Sequence, residues 1–173
     1  MRVTDVRDVP LDQWTATVDE LRGDGFVYFD FLTAVDQLDL EEDPGLDLVC
    51  HLIAPDEPRH LRSALLRTRV PAGAPAPSVT ALFPGAAWHE RETYEMFGLE
   101  FTDFQDHSDY GLRPLLLPEG FVGHPLRKSF MLPARASKAW PGAKEPGEGH
   151  EAKPPSRRRV QAPGVPGPEW GPR

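Results

Sequence analysis

The side chains best equipped for chemistry crowd into two stretches. The first is Trp88-His89-Glu90-Arg91-Glu92-Thr93-Tyr94-Glu95-Met96-Phe97-Gly98. A histidine among carboxylates suggests metal binding or acid–base work, and the spacing speaks against both. A helical zinc site needs His-Glu-x-x-His, and position 93 is Thr. On a helix Glu90 and Glu92 point apart, so they cannot flank one reacting bond. The spacing does place Trp88, Arg91 and Glu95 on one helical face, with Arg91 and Glu95 set for an i,i+4 ion pair. Glu90 and Glu92 fall near the expected helix start, where the dipole favours carboxylates. Met96 and Phe97 can reach a core, and Gly98 suits the position just past the C-terminus. An ordinary amphipathic helix with acids at its start meets all of these conditions.

The second stretch runs from Leu112 to Phe130 and contains Arg113, Pro118, Gly123, His124, Pro125, Leu126, Arg127 and Lys128. Prolines and glycines interrupt it too often for regular structure. It is nevertheless apolar, with Leu115, Leu116, Leu117, Phe121, Val122, Leu126 and Phe130. Such a segment either closes the core of its own domain or lies against a partner. His124 reads as a hydrogen-bonded loop histidine, with a proton relay as the sharper alternative.

The elements that would position these stretches follow from periodicity. Residues 10–23 carry Leu11, Trp14, Val18 and Leu21 at helical spacing, with Pro10 at the start and Gly23 at the end. Phe26–Val35 is rich in aromatic and β-branched residues and reads as a strand. Gln37–Gly45 is an acidic turn. Leu46–Ile53 alternates as a second strand, antiparallel to the first, with Leu46, Leu48, Cys50 and Leu52 on one side. Leu61–Val70 reads as a third strand and Pro71–Pro77 as a loop. Ser78 is placed to cap a short helix through Phe83. The motif helix is expected over Ala87–Phe97, followed by extended pieces at Leu99–Phe104 and Leu112–Leu117. The predicted fold is a small α+β domain: an N-terminal helix, a largely antiparallel sheet and the motif-bearing helix. An irregular extended segment and a disordered Pro-rich tail follow.

Composition draws a boundary near residue 132. The tail, 133–173, has nine prolines and almost no aliphatic side chains, so it cannot offset the entropy of ordering. The domain therefore spans 1–132, with 98–132 as its extended, partner-contacting segment. The tail carries eight Lys/Arg against four Asp/Glu, while the body carries 11 against 23. A body at −12 repels phosphate and argues against nucleic acid as a partner.

One cysteine, Cys50, cannot make an internal disulfide, a cysteine zinc site or an iron–sulfur cluster by itself. Its strand setting suggests a small buried hydrophobe. No apolar run reaches membrane-spanning length, and the first ten residues lack a signal-peptide core. The Gly-rich dinucleotide and phosphate loops, Cys-x-x-Cys and Gly-x-Ser-x-Gly are all missing.

Together, in this order, the two stretches resemble the 30-kDa subunit of the proton-translocating NADH:quinone oxidoreductase, respiratory complex I. Trp88, Glu90, Arg91, Glu92, Glu95, Met96, Phe97 and Gly98 match the family's Trp-x-Glu-Arg-Glu-x-x-(Asp/Glu)-Met-Phe-Gly. Arg113, Leu117, Pro118, Gly123, His124, Pro125, Leu126, Arg127, Lys128 and Phe130 match its second block. The similarity covers roughly residues 25–132. Departures include Phe104–Gly111 in place of a Gly-His-Pro turn, Pro114 for Arg, Phe121 for Trp and Ser129 for Asp, the pattern of a divergent paralogue.

The resemblance implies a cofactor-free structural subunit of the peripheral arm. NADH, flavin, Fe–S clusters and quinone would belong to partner subunits. The chain would pack against the large quinone-module subunit, near the Fe–S subunits, at the cytoplasmic face of the cell membrane, which it would reach only through the complex. It would support electron transfer from NADH to quinone coupled to proton translocation, with no activity of its own. Arg91, Arg113, Arg127 and Lys128 would pair with carboxylates in the domain or across the interface. The competing readings are the equivalent subunit of a membrane-bound hydrogenase-like or a ferredoxin- or F420-linked complex, a stand-alone adaptor acting through its tail, and a hydrolase using His89, Glu90 and Glu92.

Overall fold

In a computed structural model, which describes residues 5–55 and 61–131, four strands form one sheet. They are β1 (Asp5–Asp8), β2 (Tyr28–Gln37), β3 (Gly45–Pro55) and β4 (Leu61–Pro71), in the order β1-β4-β3-β2. The β2–β3 and β3–β4 pairs are antiparallel, and β1 joins β4 in parallel. A 3₁₀ turn (Leu11–Gln13) leads into helix α1 (Trp14–Gly23), and α2 spans Ala86–Phe97. Two-residue strands β5 (Ala76–Pro77) and β6 (Phe101–Thr102) pair in parallel beside α2. The α+β class expected from the sequence is the one found. The proposed tail, 133–173, lies outside the described residues.

Register explains the core. Leu32, Cys50 and Leu66 lie abreast on neighbouring strands, as do Ala34, Leu48 and Thr68. This face is buried together with Trp14, Val18 and Leu21 of α1 and with Ala86 and Phe97 of α2. Cys50 is fully buried, as its strand pattern indicated. Burial, and then the charge of nearby Glu90, push its thiol pKa far up, so it stays protonated and inert.

Several expectations need correction. Strand β1 has no counterpart in the sequence reading, because only four residues pair and no alternation distinguishes them. Residues 10–23 begin as a 3₁₀ turn; α1 ends at Gly23 as expected, and the positive-φ residue of the turn that follows is Gly25, at φ +96°. Residues 78–83 make a hydrogen-bonded turn, Phe83 N–H to the Val79 carbonyl, and no helix. The Ser78 hydroxyl still accepts from the Thr80 N–H at 3.1 Å. The 71–77 loop ends in β5, and 112–117 has no regular structure.

Candidate interaction site

Helix α2 lies against the edge of the sheet. Its His89 accepts the outward N–H of Leu32 through Nδ1 at 3.4 Å, which puts the ring proton on Nε2. The His89 ring meets Phe29 edge-on, with centroids 5.3 Å apart. An exposed strand edge invites pairing with other chains, and here a helix covers it.

Glu90 reads from the sequence as an acid near the helix start. It lies past the first turn and is fully buried. One oxygen accepts the Val79 N–H at 2.8 Å, and its other oxygen has no hydrogen-bond partner among the described residues. Burial drives its pKa up to about 7, against the lowering effect of the Val79 bond and of the neighbouring Ser78 hydroxyl. This carboxyl braces the 78–80 turn, while Thr80 Oγ1 accepts the Gln105 N–H at 2.9 Å. Glu92 is exposed.

The second stretch is fastened along α2 as a strap, residues 112–131. Arg91 and Glu95 do not form the expected ion pair; both reach for the strap backbone instead. Arg91 donates through Nε to the Arg113 carbonyl at 3.2 Å and through Nη2 to the Pro114 carbonyl at 2.8 Å. Glu95 accepts the N–H groups of Leu116 and Leu117 at 2.7 and 2.8 Å, one on each oxygen. Bonds from a carboxylate to successive amides are of the stronger, charge-assisted kind.

The Gly-His-Pro-Leu-Arg run caps the C-terminus of α2. A helix leaves its last carbonyls without partners, and three consecutive ones are met here. His124 Nδ1 lies 2.9 Å from the Glu95 carbonyl, the Leu126 N–H donates to that of Met96 at 3.1 Å, and Arg127 Nε donates to that of Phe97 at 2.6 Å. The cation of Arg127 also sits where the helix dipole is negative. The role found for His124 is thus that of a hydrogen-bonded loop histidine. Gly98, at φ +69°, ends the helix as its sequence position suggested, and a Cβ there would come 2.5 Å from both His124 Nε2 and Arg127 Nη2.

The far end of the strap ties back to the sheet. Buried Asp36 accepts the Lys128 N–H at 2.7 Å and the Leu38 N–H at 2.9 Å, while Lys128 Nζ pairs with Asp39 at 2.8 Å. Phe121 packs near Phe130, with centroids 6.1 Å apart. Of the four cations expected to pair with carboxylates, Arg113 and Lys128 do so, with Asp106 and Asp39. Arg91 and Arg127 bind backbone carbonyls. Pro118 is exposed, while Gly123 and Pro125 are half-buried. Trp88 shares the helical face of Arg91 and Glu95, yet it stays outside the strap and is 64% exposed.

Sequence reasoning missed the strap's anchor on the sheet, Asp36, and the Arg113 partner Asp106. Asp106 sits in the segment that departs from the family motif, so no pattern marked it. Hydrogen bonds from Ser108 and then Arg113 push its pKa down to about 2. Among the described residues, no group of three His, Cys, Asp or Glu side chains is placed to hold a metal ion. None of the described helices is long and apolar enough to cross a membrane.

Comparison with known proteins identifies the family. The family model described as the 30-kDa subunit of respiratory-chain NADH dehydrogenase matches residues 7–136. The corresponding NADH-quinone oxidoreductase subunit of Sinorhizobium medicae is 38% identical over 108 residues, which is 62% of this chain and 49% of that one. Its counterpart in Mesorhizobium japonicum is 43% identical over 86 residues, 50% of this chain and 39% of that one. The chain thus spans about half the length, or less, of the curated relatives it matches. Among solved structures, a trypsin-resistant fragment of Nqo5 superposes with a TM-score of 0.53 at 24% identity, over 60% of this chain and 83% of that one, and shares the fold. A chain of the membrane-bound sulfane sulfur reductase, an archaeal respiratory membrane complex, superposes with a TM-score of 0.52 at 25% identity, over 63% of each chain. With both motif blocks inside the matched region, the chain belongs to the 30-kDa subunit family of respiratory-chain NADH dehydrogenase.

Proposed function

We propose that this chain is a cofactor-free structural subunit in the peripheral arm of an NADH:quinone oxidoreductase, and that its strap is a docking surface for neighbouring subunits. One observation carries this reading. The strap's polar backbone turns inward onto α2, while Leu116, Val122, Leu126 and Met131 point outward at 50–63% exposure. Trp88 and Tyr110 are exposed as well, at 64% and 80%, beside the start of α2 and the 105–111 turn. Single exposed apolar residues are commonplace, but a run of them along a fastened irregular segment marks an interaction surface. The motif side chains are spent on holding that segment: Arg91 and Glu95 along its length, and His124 and Arg127 at the helix end. On this reading NADH, flavin, Fe–S clusters and quinone are held by partners, among them the large quinone-module subunit and the Fe–S subunits. The chain supports NADH-to-quinone electron transfer and its coupling to proton translocation by keeping those partners in place at the cytoplasmic face of the membrane.

The likeness to the archaeal sulfane sulfur reductase chain favours a second reading, the equivalent subunit in a related membrane complex with another electron donor. Affinity capture of the tagged chain from detergent-solubilised membranes, with the captured proteins identified by mass spectrometry, separates the two. Recovery of a flavin-bearing NADH module with the quinone-module subunit supports the first reading. Recovery of a different input module supports the second. A chain recovered alone from the soluble fraction would contradict both.

A further inference from the structure

A cavity of about 240 Å³ opens between the start of α2 and the turn at 105–111, and none of Leu116, Val122, Leu126 and Met131 lines it. Trp88, Arg91, Asp106 and Arg113 are among the residues that line it. Arg91 reaches the strap carbonyls through Nε and Nη2, and its Nη1 has no partner among the described residues. Its guanidinium lies over the Trp88 ring, 5.6 Å from the centroid. Arg113 is matched to Asp106 and lies 5.7 Å from the centre of the Tyr110 ring. The two guanidiniums stand close enough that Arg113 adds to burial in lowering the Arg91 pKa, and Asp106 and Glu95 offset this only in part.

We infer that this pocket receives a single carboxylate side chain from a neighbouring protein chain, bound by the free edge of the Arg91 guanidinium, with Trp88 packing on the carbons that carry it. Arg91, Arg113 and Asp106 together leave one positive charge, which suits a monoanion. A phosphate dianion would meet the ionised Asp106 in the same wall. A guanidinium edge offers a carboxylate parallel N–H donors, and the stacked indole adds apolar contact area, a combination common in interface anchors. The body's net negative charge repels carboxylates at long range, so recognition depends on contact within the cavity and weakens with salt.

This inference rests on the proposed role as a docked subunit, and the test separates the two. In the assembled complex, a photo-crosslinking p-benzoylphenylalanine is placed at Trp88 and, in a second preparation, at Leu126. The expected result is crosslinks from both positions to other subunits, with the position-88 adduct beside an Asp or Glu. Changing that carboxylate to its amide should then weaken association about tenfold at low salt, and less at high salt. If position 126 crosslinks to a partner while position 88 does not, or finds no acid nearby, the pocket inference is overturned and the docking role stands. If neither position reaches another chain, both fall. Trp88→Ala, at an exposed site, is expected to keep the melting temperature and lose about tenfold in affinity for the same partner. Unchanged affinity would also overturn the inference.

Discussion

At the scale of single residues, two positions are under the tightest physical constraint. Gly98 combines a left-handed backbone with the close approach of His124 and Arg127. Gly98→Ala adds the left-handed penalty of a side chain to a clash with both capping groups, for a loss on the order of 2 kcal/mol or more. Urea titration checks this, and a loss under about 0.5 kcal/mol would mean that the cap is dispensable. Glu90 carries a different cost. Its pKa is about 7 in the folded chain, against the usual 4.5, so the folded state holds a proton that the unfolded state releases first. The stabilising contribution of that bound proton is fully present below about pH 4.5, declines as pH rises through about 7, and changes little beyond. Glu90→Gln keeps the acceptor for Val79 and removes the titration. Its stability is expected to exceed that of the wild type above pH 7, by an amount on the order of 3 kcal/mol, and to converge with it near pH 4.5. Parallel pH profiles for the two proteins would show that Glu90 is not the titrating group.

At the scale of elements, the two motif blocks are the two halves of one fastening. Helix α2 supplies side chains to the strap backbone, and the strap supplies His124, the Leu126 amide and Arg127 to the helix end. Glu95→Ala removes the acceptor for two amides and is expected to cost about 3 kcal/mol. The loss should be local: limited proteolysis should cut within 112–131 faster than in the wild-type chain, while the sheet persists. Global unfolding without preferential cutting would show that the strap is not a separable layer. The alternation Leu46–Leu48–Cys50–Leu52 and the helical spacing of Trp14, Val18 and Leu21 sufficed to place β3 and α1, because burial of one face fixes a period. The same logic could not find β1, whose four residues join the sheet through β4, a partner distant in the chain. Nor could it tell that Arg91 and Glu95 would bypass each other. Helical spacing shows which side chains are neighbours, whereas the competing backbone groups arrive from residues 113–117. Gly98 and Cys50 were legible because each is settled by its local setting.

At the scale of the whole molecule, one face of the sheet and one side of α2 are committed to the core, while Leu116, Val122, Leu126 and Met131 of the strap stay exposed. Arg127→Ala removes the cation at the helix end and the bond to the Phe97 carbonyl, and is expected to cost about 2 kcal/mol. Partner capture should fall with it, since the strap would be displaced. The variants that separate docking from folding are those of outward side chains, Leu116→Asp and Leu126→Asp, at positions more than half exposed. Substitutions at such sites usually change stability by about 0.5 kcal/mol or less, yet a charge inside an apolar interface is strongly unfavourable. The decisive measurement is quantitative capture of the quinone-module and Fe–S subunits by the wild-type chain and by the doubly substituted chain, alongside their melting temperatures. The expected result is a loss of capture of tenfold or more at unchanged melting temperature. Equal capture by the two chains would contradict the strap as the docking surface.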